Sequence, residues 1–172
     1  MNHLNIEIKA RSNNHEAIRM LLKENGAVYK GIDHQIDTYF NVSNGRMKLR
    51  EGNIENSLIH YNREDKGGPK KSEATIFEIK PNSPLKEILI KALGVLVVVD
   101  KKREIYFIDN IKFHIDIVEG LGTFIEIEAI DDNGAIGKDK LFEQCQFYLE
   151  EFDIAKEDLI SASYSDLLLQ MQ

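Results

Sequence analysis

The sequence predicts an α+β fold in which an eight-stranded antiparallel β-barrel encloses a charged lumen and helices flank the outside. Three observations carry this expectation. Residues 3–11, His-Leu-Asn-Ile-Glu-Ile-Lys-Ala-Arg, alternate strictly, so Asn5, Glu7, Lys9 and Arg11 share one strand face and Leu4, Ile6, Ile8 and Ala10 the other. The pattern returns along the chain: Lys48 and Arg50 between apolar neighbours, Lys101 and Arg103 two apart, Glu126 and Glu128 alternating with Ile125 and Ile127. Strand-like segments also follow one another in hairpin order, and closing such a set into a barrel removes its exposed edges. For any one strand, a half-solvated antiparallel sheet explains the charges. Their repetition also fits a barrel whose lumen is charged to hold a polyanion and its metal ions.

The elements follow in order. After the first strand, Asn14 is placed to cap a helix that runs through Glu24 and ends at Asn25-Gly26, with Ile18, Leu21 and Leu22 as its apolar stripe. A long strand over 28–41 reaches the hairpin turn Asn44-Gly45 and returns over 47–51. The next strand covers 57–64. The stretch 65–72, Asp-Lys-Gly-Gly-Pro-Lys-Lys-Ser, reads as a loop, and 75–80 as a strand closed by Pro81 and Pro84. A second helix fits Leu85–Leu93, with Gly94 behind it. Strands over 95–108, 112–119 and 123–130 are separated by Asp109-Asn110 and Gly120 to Gly122. Helices over 137–151 and 159–169 complete the chain. Residues 1–172 are expected to form a single domain, with no repeat or linker.

Composition narrows the function. The chain of 172 residues is 42% apolar, enough for a core. Its formal net charge of −7 argues against a general nucleic-acid-binding surface. Local Arg and Lys clusters in an acidic chain point to a compact anionic ligand instead. The one cysteine, Cys145, sits at helical spacing among apolar residues and reads as a small core residue, which fits a reducing compartment. The apolar run from Ala92 to Val99 is far short of the ~20 residues that span a bilayer. A cytoplasmic, soluble protein is expected, with no membrane partner. The histidines show no paired metal-ligand spacing, which argues against zinc, and His114 reads as a hydrogen-bonded structural residue. Gly-Pro-Lys-Lys-Ser at 68–72 lacks the spacing of a phosphate-binding P-loop, so Lys70 and Lys71 read as a lid or as solvated side chains.

Several segments occur in a telling order. They are Gln35-Ile-Asp37-Thr-Tyr39-Phe40, Gly45-Arg-Met-Lys48-Leu-Arg50-Glu51, Tyr61-Asn-Arg63-Glu-Asp65, Lys101-Lys-Arg103-Glu-Ile-Tyr106 and His114-Ile-Asp116 through Glu126-Ile-Glu128. The chain thereby resembles the CYTH family, the triphosphate tunnel metalloenzymes, and within it the class IV adenylate cyclase branch. The resemblance runs down to Ser163-Tyr164. It implies a tunnel in which basic residues hold a triphosphate and acidic residues hold Mg²⁺ or Mn²⁺. Carried over by motif, Glu7 is a metal ligand and Lys9 a phosphate ligand, with Glu126 completing the catalytic set. Arg50, Arg63, Lys101 and Arg103 take phosphates, and Asp116 and Glu126 complete the metal site. Strand alternation adds Arg11 and Lys48 to the phosphate ligands and Glu128 to the metal ligands. The chemistry agrees: Arg forks match phosphate oxygens two at a time, and hard cations take carboxylate oxygens. One position departs from the family signature, because Asn5 stands where its first Glu is expected.

The resemblance implies a metal-dependent enzyme acting on ATP or another triphosphate, adenylate cyclase-like in the first place. Two alternatives stay open: a triphosphatase, and a non-catalytic triphosphate- or nucleotide-binding protein. Thiamine triphosphate fits less well, since the chain has no Trp to receive a cationic ring. The expectation leaves room for a homodimer.

Overall fold

The computed structural model describes the backbone of residues 3–63 and 69–172, with side chains for all of these except 3, 63 and 70–72. Its strands are β1 (His3–Arg11), β2 (Val28–Phe40), β3 (Arg46–Glu51), β4 (Ser57–Arg63), β5 (Lys70–Glu78), β6 (Val95–Ile108), β7 (Ile111–Val118) and β8 (Gly122–Asp131). Its helices are α1 (His15–Glu24), α2 (Leu85–Leu93), α3 (Lys138–Glu151) and α4 (Tyr164–Gln170). The strands close into one antiparallel barrel in the order β1-β5-β4-β3-β2-β6-β7-β8. The expected α+β barrel with flanking helices is what the chain adopts.

Alternation decides which residues face which way. On β1, Ile6, Ile8 and Ala10 point outward into a core with Phe113 and Ile115 of β7, Ile125 and Ile127 of β8, Ile18 and Leu22 of α1, and Leu141 and Cys145 of α3. These helices therefore cover the β1–β8–β7 wall. Cys145 is fully buried there, its thiol donating to the Ile6 carbonyl, and burial pushes the thiol up to about 12. The cover is partial, since Val98 on β6 and Ile117 on β7 stay exposed and α2 buries none of its residues.

Two elements differ from the sequence expectation. The segment expected as a loop over 65–72 contributes its last part to β5, which starts at Lys70 and pairs with β1 through Glu7↔Lys70 and Asn5↔Ser72. Closure requires β5 to pair with both β1 and β4, and those ladder bonds override the loop-like composition. Residues 65–68 of that expected loop, with Glu64 at the end of the expected preceding strand, lie outside the described residues. The last helix starts at Tyr164, not 159. Ser163 and Asp166 form a reciprocal capping box that starts α4 there, while Ile160 donates its N–H to the Lys9 carbonyl and Leu159 bridges to Ala10. The C-terminal segment is thus stitched to the end of β1, and Arg46 fixes α4 by donating to Ser163 and Asp166, both at 2.8 Å.

Consequently α4 packs across one end of the barrel. Its Leu167, Leu168 and Leu169 meet Tyr39, Val97, Val118, Phe124 and Tyr164. That end of the lumen is apolar; the charges lie beyond it.

Candidate functional site

The barrel encloses a cavity of about 670 Å³, a size usual for small-molecule and cofactor sites. Among the described residues, Lys9, Lys48, Arg50, Lys101, Arg103 and Lys112 line it, against Glu7, Asp37, Glu55, Glu78, Glu126 and Glu128. Six cations face six carboxylates. An anion entering this balanced wall would need added cations to offset its charge.

Asp37 of β2 organises the basic side. It stands opposite Arg50 in the β2–β3 register and receives Nε and Nη2 of that guanidinium, each at 2.9 Å. Lys48 and Lys101 also reach its Oδ2, at 2.9 and 2.8 Å. Burial alone would raise the Asp37 carboxyl, but Arg50, Lys101 and Lys48 hold it well below the usual carboxylate range. Burial, with Arg50 and Arg103 close by, pushes the Lys101 ammonium well below the ordinary lysine range despite Asp37. Asp37 stands in one of the ordered segments of the sequence but carries no expected role there. The signal was its place on the inward face two residues from Gln35 and Tyr39.

Glu55 lies in the short β3–β4 connection and accepts from Arg50 at 3.0 Å, from Gln35 at 3.2 Å and from Lys112. The connection is wrapped around the buried Asp33 carboxylate, which takes the N–H groups of Ile54 and Glu55, both at 2.9 Å. A Cβ at Gly52 would stand 2.5 Å from Asp33 Oδ1, so the wrap demands glycine there. Nothing in the local sequence singled out Glu55, because its partners lie on β2, β3 and β7.

A second network joins β6, β7, β8 and the C-terminal segment. Arg103 grips Asp116 with Nε at 2.7 Å and Nη2 at 2.6 Å, and reaches Glu126 at 3.3 Å. The Tyr164 hydroxyl donates to Asp116 at 2.7 Å, and Lys9 Nζ lies 4.0 Å above the Tyr164 ring and 3.5 Å from Glu126. Burial would raise the Glu126 carboxyl, yet Lys9 and Arg103 keep it well below its ordinary range.

A third group combines carboxylates with an imidazole. His114 of β7 and Glu126 and Glu128 of β8 each present a ligand atom, and the three lie within 4.8 Å of one another. The Asn5 side-chain amide donates to Glu128. Burial, with Arg103 nearby, lowers His114 to about 4, so the ring is neutral at neutral pH. The expected hydrogen-bonded structural histidine is not what is found: neither ring nitrogen has a hydrogen-bond partner.

The structure thus brings Glu7, Lys9, Lys48, Arg50, Lys101, Arg103, Glu126 and Glu128 into one cavity wall. Arg11 and Asp116 are not among the lining residues. Arg11 is exposed at the barrel rim, donating to the Leu121 carbonyl and lying over the Phe124 ring. Asp116 is fully buried behind the wall, both oxygens occupied by Arg103 and one also by Tyr164. The Arg63 side chain lies outside the described residues.

A closed antiparallel barrel whose lumen sets basic residues against carboxylates defines a charged-tunnel protein. This chain belongs to the CYTH domain family, whose profile matches residues 3–164. Over 178 residues it is 30% identical to a protein of Methanocaldococcus jannaschii named "Putative adenylate cyclase MJ0240", spanning 95% of this chain and 98% of that one. Among solved structures, the PH1012 protein of Pyrococcus horikoshii OT3 matches with a TM-score of 0.73 at 27% identity, over 95% of this chain and 98% of that one. HpAC1 of Hippeastrum, described as a "putative adenylyl cyclase" with a dominant triphosphatase activity, shares the fold with a TM-score of 0.62 at 15% identity, over 100% and 97% of the two chains. The resemblance of the sequence to the triphosphate tunnel metalloenzymes implies a divalent ion in the lumen. The residues here fit such an ion: three convergent donors, with the buried Asn5 Oδ1 lacking a partner beside them. No helix among the described residues is long and apolar enough to cross a membrane.

Proposed function

We propose that this chain is a metal-dependent enzyme acting on ATP, converting it to cyclic AMP and pyrophosphate. The observation that carries the reading is the apposition, in one cavity, of the Asp37-centred basic cluster and the His114–Glu126–Glu128 group. Lys9, Lys48, Arg50, Lys101 and Arg103 bind and orient the phosphates. Arg50 offers a planar fork to two oxygens, and the lysines act as point charges. Glu7, Glu126 and Glu128 hold Mg²⁺ or Mn²⁺, which when bound neutralises charge developing on the phosphates. Asp116, held by Arg103 and Tyr164, supports that site from behind and keeps Arg103 extended into the lumen.

In this reaction the ribose 3′-hydroxyl attacks the α-phosphorus and pyrophosphate leaves. The chain's contribution is positioning and charge stabilisation, which phosphoryl chemistry mainly requires. A nucleotide is favoured over inorganic triphosphate by the apolar side chains at the cavity mouth. Ile54, Ile76, Ile79 and Pro81 line it, and Ile54 and Ile76 remain about half exposed, offering a surface for a base. The second reading is hydrolysis of the terminal phosphate, favoured by the same basic cluster and by the activity described for HpAC1.

Incubation with ATP or tripolyphosphate, each with Mg²⁺ and with Mn²⁺, followed by chromatography, separates the readings. Cyclic AMP and pyrophosphate are expected from ATP. Orthophosphate with ADP would establish the hydrolase, and binding without turnover would reduce the tunnel to a receptor.

A further inference from the structure

His114 and Asn5 are unusual tenants of a buried site. His114 is 2% exposed, yet neither Nδ1 nor Nε2 makes a hydrogen bond; Asn5 is 5% exposed, and its Oδ1 has no partner. Buried polar atoms without partners are rare, and each calls for a cause. The orientation of Asn5 follows from its neighbour. A carboxylate only accepts, so the amide NH₂ must face Glu128, and the carbonyl oxygen is turned away from it. His114 Nδ1 stands 3.7 Å from Glu126 Oε1. That is too long for a hydrogen bond. It lies within the range of about 3 to 4.2 Å that separates two donors bound to one octahedral ion with bonds of ~2.1 Å.

We infer that His114 is a nitrogen ligand of the tunnel's cation, beside Glu126 and Glu128. The site thereby favours a first-row transition ion such as Mn²⁺ or Co²⁺ over Mg²⁺. The inference rests on the metal-dependent reading above and gives it an ion class. The chemical reason is donor type. Mg²⁺ demands oxygen ligands and keeps its waters, so an imidazole adds little to its binding. Transition ions bond imidazole nitrogen strongly, and carboxylates supply the charge balance. Asn5 belongs to the same argument. Exchanging a carboxylate for an amide at position 5 lowers the anionic charge that a small hard ion requires, while the nitrogen of His114 compensates only for ions that accept it. The amide also steadies Glu128 by donating to it, as partners behind metal ligands commonly do.

The test uses the untagged, metal-free full chain with Mn²⁺ alone. Pulsed electron paramagnetic resonance of bound Mn²⁺ is expected to show ¹⁴N coupling that changes to the ¹⁵N pattern when the chain is labelled with ¹⁵N-histidine. His114→Ala should abolish that coupling and weaken Mn²⁺ binding by about tenfold or more, with Mg²⁺ binding changed by less than about twofold. His114→Gln serves as a second variant should the alanine variant not fold, and the labelled wild type reports without any substitution. Bound Mn²⁺ without histidine coupling overturns the inference while leaving a metal in the tunnel. Coupling that persists in either variant also overturns it. Failure of the wild type to bind Mn²⁺ at all removes the inference together with the metal-dependent reading on which it rests.

Discussion

Asp37 and Arg50 face each other across β2 and β3 in a two-pronged ion pair, Nε to Oδ1 and Nη2 to Oδ2, both at 2.9 Å. The carboxylate lies on the floor of the basic cluster, so it holds three cations together while the cavity is empty. It also fixes the Arg50 fork, so that little rotamer freedom remains to be lost when an anion binds. Because Lys48 and Lys101 still hold Asp37 when the arginine is absent, Arg50 can be removed without orphaning a buried charge.

Arg50→Ala should therefore keep the barrel, as judged by circular dichroism, and weaken tripolyphosphate binding by about 10- to 100-fold. Unchanged affinity by titration calorimetry would mean that Arg50 serves only the Asp37 cluster.

Asp37→Asn should behave differently, since it leaves Arg50, Lys48 and Lys101 buried without their anion. A loss of about 3–5 kcal/mol in urea unfolding is expected at neutral pH. The folded carboxyl lies below its unfolded value of about 3.9, so its contribution is complete above that pH and fades as the pH falls through the folded value. The gap between wild type and variant should thus be flat from neutral pH down to about pH 5 and shrink below about pH 4. A gap that shrinks instead on the alkaline side would assign the effect to Lys101.

Glu55 occupies Arg50 and Lys112, cations that an incoming phosphate would use. Glu55→Gln removes the competing charge and should tighten tripolyphosphate binding by about three- to tenfold. Weaker binding would show that the carboxylate assists, for instance by holding a cation.

Ile76→Ser reduces apolar surface at the mouth without touching the charged lumen. ATP binding should weaken by about three- to tenfold while tripolyphosphate binding stays within about twofold. Equal losses for both would place the base elsewhere.

Strand alternation made the inner and outer faces legible. Ile6 and Ile8 against Glu7 and Lys9, or Ile125 and Ile127 against Glu126 and Glu128, sort themselves by a two-residue period that is local geometry. Most of the cavity-lining set followed from it. Alternation could not separate inward from accessible: Asp116 shares its face with His114, yet it lies sealed behind Arg103 and Tyr164. Arg11 shares its face with Lys9, but the strand reaches the rim there and the side chain leaves the lumen.

By itself the sequence determined the strand faces, the turns at Asn44-Gly45 and after Leu93, the acidic net charge and the barrel that hairpin order implies, because each depends on spacing within a few residues. Only the tertiary structure decided which charges meet. Barrel closure brings Lys101 to Asp37 across 64 positions and sets Asn5 against Glu128 across 123, while the C-terminal segment stitched to β1 carries Tyr164 to Asp116 across 48. Those pairings depend on strand order and register around the barrel. Neither is encoded in the neighbourhood of any one residue, since both arise from eight strands satisfying their backbone hydrogen bonds at once.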